Sequence, residues 1–386
     1  MPSLGDLPPE LVDMVWGFIV ASRSARDMNV FVQTCKSFYD AYNTKLYDYT
    51  VRYQSFKASE WAAENGQVST LGKLIDAGLD LHRRSYDHPL CVAARQARVE
   101  VVEYLLRKQR LNTWPLVDGP LVAAIQGSDM RVVRMIVIAM RKDSPTLDLF
   151  RRALRINGIH LAVRTGSLES VRLLLDEGVD VNCQQSNLDM NSAHPHLIGT
   201  PILTAIRYNS PSVMELLLDR GALLKASEAP TALQFAISNN HVEVARILLE
   251  RGISNLDDAS LTMAAGRSGE MVKLLLDQGA DPNSSGRGPD YPILAAIRSG
   301  LEDAIARLME AGVDTVLQEE ALVLAAGKGR LSIVEAVVKH GAHNLVSSFG
   351  HSAVLEAVRT GYAEIVKYLL GHGADVDKEE RDALLI

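Results

Sequence analysis

The stretch "TALQFAISNNHVEVARILLERG", Thr231 to Gly252, decides the fold. A Thr ahead of a short apolar segment can accept a bond from the unpaired amides of a helix start. Ala236, six positions in, is small enough to let two helices approach closely. After a polar turn, Val244, Ile247 and Leu248 fall at helical spacing, and Gly252 suits a helix terminator. The unit is therefore two short helices joined by a tight turn. Such a pair has an apolar face too large to leave wet and too small to bury alone, so copies must stack.

The copies are present. "TPILTAIRYNSPSVMELLLDRG" from Thr200, "NGIHLAVRTGSLESVRLLLDEG" from Asn157 and "SAVLEAVRTGYAEIVKYLLGHG" from Ser352 align with it. An Ala is followed sixteen residues later by Gly in Ala62 to Gly78, Ala162 to Gly178, Ala205 to Gly221, Ala236 to Gly252, Ala296 to Gly312, Ala325 to Gly341 and Ala357 to Gly373. Ala264 to Gly279 is one residue short, and the copies at Ala93 and Ala124 lack the final Gly. The ten markers give a mean period of about 33 residues. Gly66, Gly166, Gly300, Gly329 and Gly361 stand where the chain turns between helices, a place that favours a left-handed backbone. Asp/Asn turns such as "ADPN" (Ala280 to Asn283) follow the second helix.

These residues resemble the ankyrin repeat, whose T-P-L-H-x-A opening is echoed by "TPILTA" (Thr200 to Ala205) and by "NGIHLA", with His160 in the His place. The resemblance covers roughly residues 57 to 377 and implies an all-α solenoid of about ten helix-turn-helix repeats, strand-free apart from short hairpin loops. The expected division is an N-terminal helical segment, 1–56, and the solenoid, 57–386. Insertions at 140–156 and 183–199 lengthen two periods to 38 and 43 and should project as fingers.

Composition narrows the function. The 386 residues carry 40 Lys and Arg against 47 Asp and Glu, a net charge of −7, so the whole chain does not attract polyanions. Neither nucleic acid nor membrane is an expected partner. Cys35, Cys91 and Cys183 are scattered and odd in number, which argues against a disulfide framework or thiolate metal site. Glu10 and Asp13 interrupt the only leader-like apolar run. The expectation is a monomer of the cytosol or nucleus, without cofactor or metal.

Little in the repeats speaks for catalysis. His160 and His241 occupy structural repeat positions, and His340 and His372 end neighbouring second helices, where a cation is favoured. A metal shared by His340, His343, His351 and His372 lacks a carboxylate or thiol at ligand spacing. Cys183, Asp189, His194 and His196 form the one local cluster of nucleophile-like and base-like groups, in a polar insertion whose composition suits a binding finger. No catalytic residue is assigned. A different pattern lies two and three residues after each marker Ala, where the ankyrin resemblance implies side chains facing the concave groove. Arg95, Arg164, Arg207, Arg298 and Arg359 stand at the first position, and Tyr208, Arg267 and Lys328 at the second. This discontinuous basic ladder is suited to a carboxylate- or phosphate-bearing partner segment. The hairpin acids Asp80, Asp180, Asp281, Asp314 and Asp375 are candidates to neutralise it.

Residues 1–56 do not follow the repeat. In "LPPELVDMVWGFI" two prolines head a stripe of Leu11, Met14, Val15, Phe18 and Ile19. A second stripe, Phe31, Thr34, Cys35 and Phe38, follows, so two or three short amphipathic helices are expected. They resemble the F-box: Leu7-Pro8, Glu10-Leu11 and Val15, Phe18, Ile19 match its L-P-x-E-[IL] opening, and "DMNVFVQTCKSFYD" its second half, with Thr34 and Phe38 departing from pattern. The resemblance implies that Leu7, Pro8, Glu10, Leu11, Val15 and Ile19 dock a Skp-type adaptor, so that the repeats present a protein client to a cullin ubiquitin ligase. The combination resembles fungal F-box/ankyrin proteins. Alternatives are an ankyrin scaffold or transcriptional coregulator whose N-terminal helices cap the array and, third, an enzyme built in the groove or the 183–199 finger.

Overall fold

The computed structural model describes residues 16, 30, 36–81, 88–108, 119–143, 154, 158–184, 199–253, 256–286, 290–341 and 345–375. Among them are twenty helices and no strand. The chain divides into two compact units, Met1–Asn191 with Gly199–Pro201, and Ser192–Ile198 with Ile202–Ile386.

The first unit holds α1 (Lys36–Glu64), α2 (Val68–Asp76), α3 (Pro89–Arg95), α4 (Val99–Lys108), α5 (Pro120–Gly127), α6 (Met130–Asp143), α7 (His160–Arg164) and α8 (Leu168–Asp176). Odd-numbered helices pack on one another in one layer, and even-numbered helices in a second behind them. The second unit repeats the plan. Its front layer is α9 (Pro201–Arg207), α11 (Ala229–Ser238), α13 (Asp258–Ala265), α15 (Pro292–Ser299), α17 (Thr315–Gly327) and α19 (Leu345–Thr360). Behind it stand α10 (Pro211–Asp219), α12 (Val242–Glu250), α14 (Gly269–Asp277), α16 (Glu302–Glu310), α18 (Leu331–His340) and α20 (Ala363–Gly371).

All ten marker alanines have no exposed surface, because each sits where front and back helices touch. In seven copies the backbone amide five residues on returns to the marker carbonyl, as in His241 N to Ala236 O (2.8 Å) and Tyr362 N to Ala357 O (2.8 Å). That closure needs a left-handed residue at the fourth position after the marker. Gly66, Gly166, Gly300, Gly329 and Gly361 supply it, and in four copies Ala97, Ser128, Asn209 and Asn240 adopt it with φ of 54°, 59°, 51° and 57°. The copy at Ala264 avoids it. Its missing residue has been deleted from this turn, and Ser268 is extended and accepts from Met271 N at 3.4 Å to start α14. Gly341, expected to be a left-handed terminator, is extended instead at φ −79°.

A β-carbon in the left-handed region costs about 1 kcal/mol. Ala97→Gly should therefore raise the unfolding free energy of the first unit by about 0.5–1 kcal/mol. Gly361→Ala, whose added carbon meets nothing within 4 Å and so reports backbone alone, should lower that of the second by about 1 kcal/mol. Urea titrations of the three chains check both signs.

Three expectations change. The amphipathic N-terminal helices were expected to be short, yet α1 runs unbroken for 29 residues and carries Phe38. The boundary at 56/57 falls inside it, because nothing between Lys36 and Glu64 is a Gly or Pro that would interrupt the helix. Part of the 140–156 insertion is not a finger: α6 continues to Asp143. Most of the rest of that insertion, and 185–198 of the second, lie outside the described residues.

Candidate functional site: the concave face

In three front-layer helices of the second unit an open face is lined from two and one before the marker, by Leu294, Val323, Leu324 and Glu356, and from two and three after it, by Arg298, Gly327 and Lys328. In the second unit, α15, α17 and α19 frame an open groove of about 660 Å³ on that face, with room for a few side chains. Leu294, Val323 and Leu324 supply its apolar lining, Arg298 and Lys328 its basic groups, and Glu319, Glu320 and Glu356 its carboxylates.

The predicted ladder divides between the two units. Arg95, at the half-buried end of α3, and the exposed Arg164, at the end of α7, belong to the first. In the second unit the Arg207 guanidinium lies 5.5 Å from the ring centroid of Tyr208, itself 42% exposed. Arg267 and Lys328 are exposed. Arg298 is bonded to Asp290. Arg359 forks onto Glu356, with hydrogen bonds of 2.9 and 2.6 Å that hold the carboxyl below, and the guanidinium above, their usual pKa values.

Two of the five hairpin acids are engaged in their own turns and not on the ladder. Asp180 accepts from Asn182 N (2.9 Å) and Asp281 from Asn283 N (2.9 Å), each closing its own turn. Asn283 then accepts from Asp314 N (2.8 Å) and donates to Gly312 O (3.1 Å), tying adjacent repeats together. On the ladder, Arg298 is paired with Asp290 and Arg359 with Glu356, acids that spacing did not single out.

The histidines are structural where described. His241 Nδ1 bonds Ile206 O at 3.1 Å, His340 Nδ1 is 3.2 Å from Glu310, and His372 bonds Tyr368 O at 2.8 Å. No group of three or more metal-ligating side chains occurs among the described residues. Cys183 is buried with its Sγ 3.9 Å from His160 Nε2. Burial holds the His160 imidazole down at about pKa 4, so at neutral pH it is uncharged and cannot stabilise a thiolate. Asp189, His194, His196 and His343 lie outside the described residues, as do Leu7, Pro8, Glu10, Leu11, Val15 and Ile19.

Three residues were missed. His88 stands where Thr200 stands in its own copy, and its fully buried ring caps the start of α3: Nδ1 accepts from Leu90 N (3.0 Å), and the ring's Nε2 bonds Leu81 O (3.1 Å). The His88-Pro89 dipeptide five residues before Ala93 was the signal. Glu319 and Glu320 stand beside the groove because α17 begins at Thr315, straight after Asp314, where other copies place turn residues; the absence of Gly and Pro between Gly312 and Ala325 was legible.

A family model described as ankyrin repeats (3 copies) matches residues 159–259, 202–286 and 293–380. The chain is similar to the ankyrin repeat and KH domain-containing protein mask-1 of Caenorhabditis elegans, 27% identical over 280 residues, covering 67% of this chain and 10% of that protein. It is similar to the B-cell lymphoma 3 protein homolog of Mus musculus, 28% identical over 217 residues, covering 52% and 45%. Among solved structures, the ankyrin repeat domain of Bcl-3, described as a unique member of the IkappaB protein family, aligns at a TM-score of 0.40 and 24% identity, over 57% of this chain and 97% of that one. The chain spans less than half the length of these curated relatives. No helix among the described residues is long and apolar enough to cross a membrane.

Proposed function

The chain belongs to the ankyrin-repeat family, and on that premise we propose that it is a non-catalytic adaptor: its concave face holds a protein client while the segment before α1 docks a Skp-type subunit of a cullin ubiquitin ligase, in the cytosol or nucleus. The observation that carries this reading is α1. A 29-residue helix is about 43 Å of continuous rod, and here its C-terminal end is the front helix of the first repeat, with Ala62 and Ala63 fully buried. From Lys36 into the first repeat the chain is thus one unbroken helix, which suits a subunit that presents a client.

The test is affinity purification of the full chain beside Leu11→Asp and a variant lacking residues 1–35. The Skp subunit should accompany the wild type and be lost from both variants, while repeat-bound clients are retained. A wild-type complex devoid of Skp, where other F-box proteins are loaded, removes the ligase reading.

A second reading is a scaffold or transcriptional coregulator whose N-terminal segment caps the array. Trp16, only 8% exposed, together with the buried Leu46 and Tyr49 of α1, favours it, since an apolar first face needs cover. Under this reading Leu11→Asp lowers the thermal midpoint of the first unit and leaves every partner bound.

A further inference from the structure

We infer that the groove between α15, α17 and α19 receives an extended peptide carrying a basic residue, an aliphatic residue two positions on and an acidic residue two positions beyond that. This rests on reading the concave face as the client surface, and it gives that client a chemistry other than the acidic or phosphorylated one the arginine ladder suggests.

The argument begins with which charges remain available. The guanidinium of Arg298 already lies on Asp290, and that of Arg359 on Glu356, so neither offers an open fork to an anion. Glu319, Glu320 and Lys328 make no ion pair among the described residues, and Glu320 and Lys328 are exposed. The groove's unmatched charge is therefore two carboxylates and one ammonium.

Their order follows from the helix. Glu319 and Glu320 occupy the added N-terminal turns of α17, Val323 and Leu324 the turn after them, and Lys328 the C-cap. At 1.5 Å per residue these three stations are each about 6 Å apart along the axis. An extended chain advances about 6.7 Å per two residues and presents alternate side chains to one side. A peptide laid along α17 thus puts its first, third and fifth side chains over the carboxylates, over the apolar lining completed by Leu294, and over Lys328.

The lining supplies the driving force: Leu294 is 8% exposed, while Val323 and Leu324 are half-buried and left uncovered by any other described part of the protein. The carboxylates stand on rigid helix in place of a turn. Gln318 helps to hold that turn, its Nε2 bonded to Val313 O at 2.7 Å, so little ordering is needed on binding.

The probe is a fluorescein-labelled nonapeptide, Gly-Ala-Lys-Ala-Leu-Ala-Glu-Ala-Gly, titrated into the full chain by fluorescence polarisation. It is compared with twins in which Lys becomes Glu or Leu becomes Ser. The Lys/Leu/Glu peptide should bind about tenfold more tightly than either twin. A chain carrying both Glu319→Lys and Glu320→Lys, with an unchanged helical spectrum and thermal midpoint, should reverse the Lys-over-Glu preference. Equal or tighter binding of the acidic twin, no binding of any peptide, or a preference untouched by the double substitution overturns the proposal. Lysate clients retained by the wild type while all three peptides fail to bind sink this inference and leave the adaptor reading standing. Peptide preference that reverses as expected, with no client recovered, does the opposite.

Discussion

Taking the full chain from about pH 7 to about pH 5 should cost the first compact unit about 4 kcal/mol of stability, through His88 and His160. Burial holds both imidazoles down to about pKa 4 from an ordinary 6.5, and the hydrogen bonds they make, to Leu81 O for His88 and with the Cys183 backbone for His160, oppose that only in part. A group whose folded pKa is depressed binds its proton more readily when unfolded. The stability it confers is complete above about pH 6.5 and drains away as pH falls through about 4, by about 2 kcal/mol per ring at pH 5.

The second unit has His241, half-buried and shifted the same way to a lesser extent, so it loses less. Carboxylates such as Glu356 and Asp129, held low by Arg359 and Arg131, titrate below this window. Hydrogen exchange read by mass spectrometry, with peptides from α3 and α7 against peptides from α12 and α16, should show protection at pH 5 falling first in the former. His88→Thr restores the residue found at Thr200 and should remove about half of the acid sensitivity. Equal acid losses in the two units, or an unchanged pH profile in that variant, would falsify the assignment.

Gly127→Ala should destabilise the first unit by about 2–3 kcal/mol, and by more than any other one-methyl change in its front layer. The added carbon would stand 2.6 Å from both the Ala94 and the Arg95 carbonyl oxygens. Those are backbone atoms at the C-terminal end of α3, so relief requires α3 and α5 to move apart along a contact that also buries Ala93 and Ala124. Gly371→Ala is the control. It too is the last residue of its helix, but its new carbon meets nothing within 4 Å, so the helix-forming preference of Ala should leave stability unchanged or slightly raised. Thermal or urea unfolding of the two variants beside the wild type separates the cases, and similar midpoints would show that α3 and α5 yield at no cost.

The repeat was legible because its causes are local. Ala at the close approach, a turn residue four places on and apolar residues at helical spacing are each a property of a few consecutive positions, and stacking follows because one pair cannot bury its own face. The same reasoning placed His160, His241, His340 and His372 in structural roles. It misjudged α1, because amphipathic stripes mark faces and not ends. It passed over His88, because an imidazole is not among the side chains usually found capping a helix start.

What the sequence by itself determined is therefore the architecture: ten helix pairs, their order and most of their turns. What only the tertiary structure decided is the electrostatics of that groove. Periodicity puts Arg298 and Arg359 at one repeat position but is blind to Asp290 and Glu356, which reach them from eight positions before and three before, respectively. A side chain's net charge at a surface depends on which neighbour its long, flexible arm meets, and that is settled by packing in three dimensions.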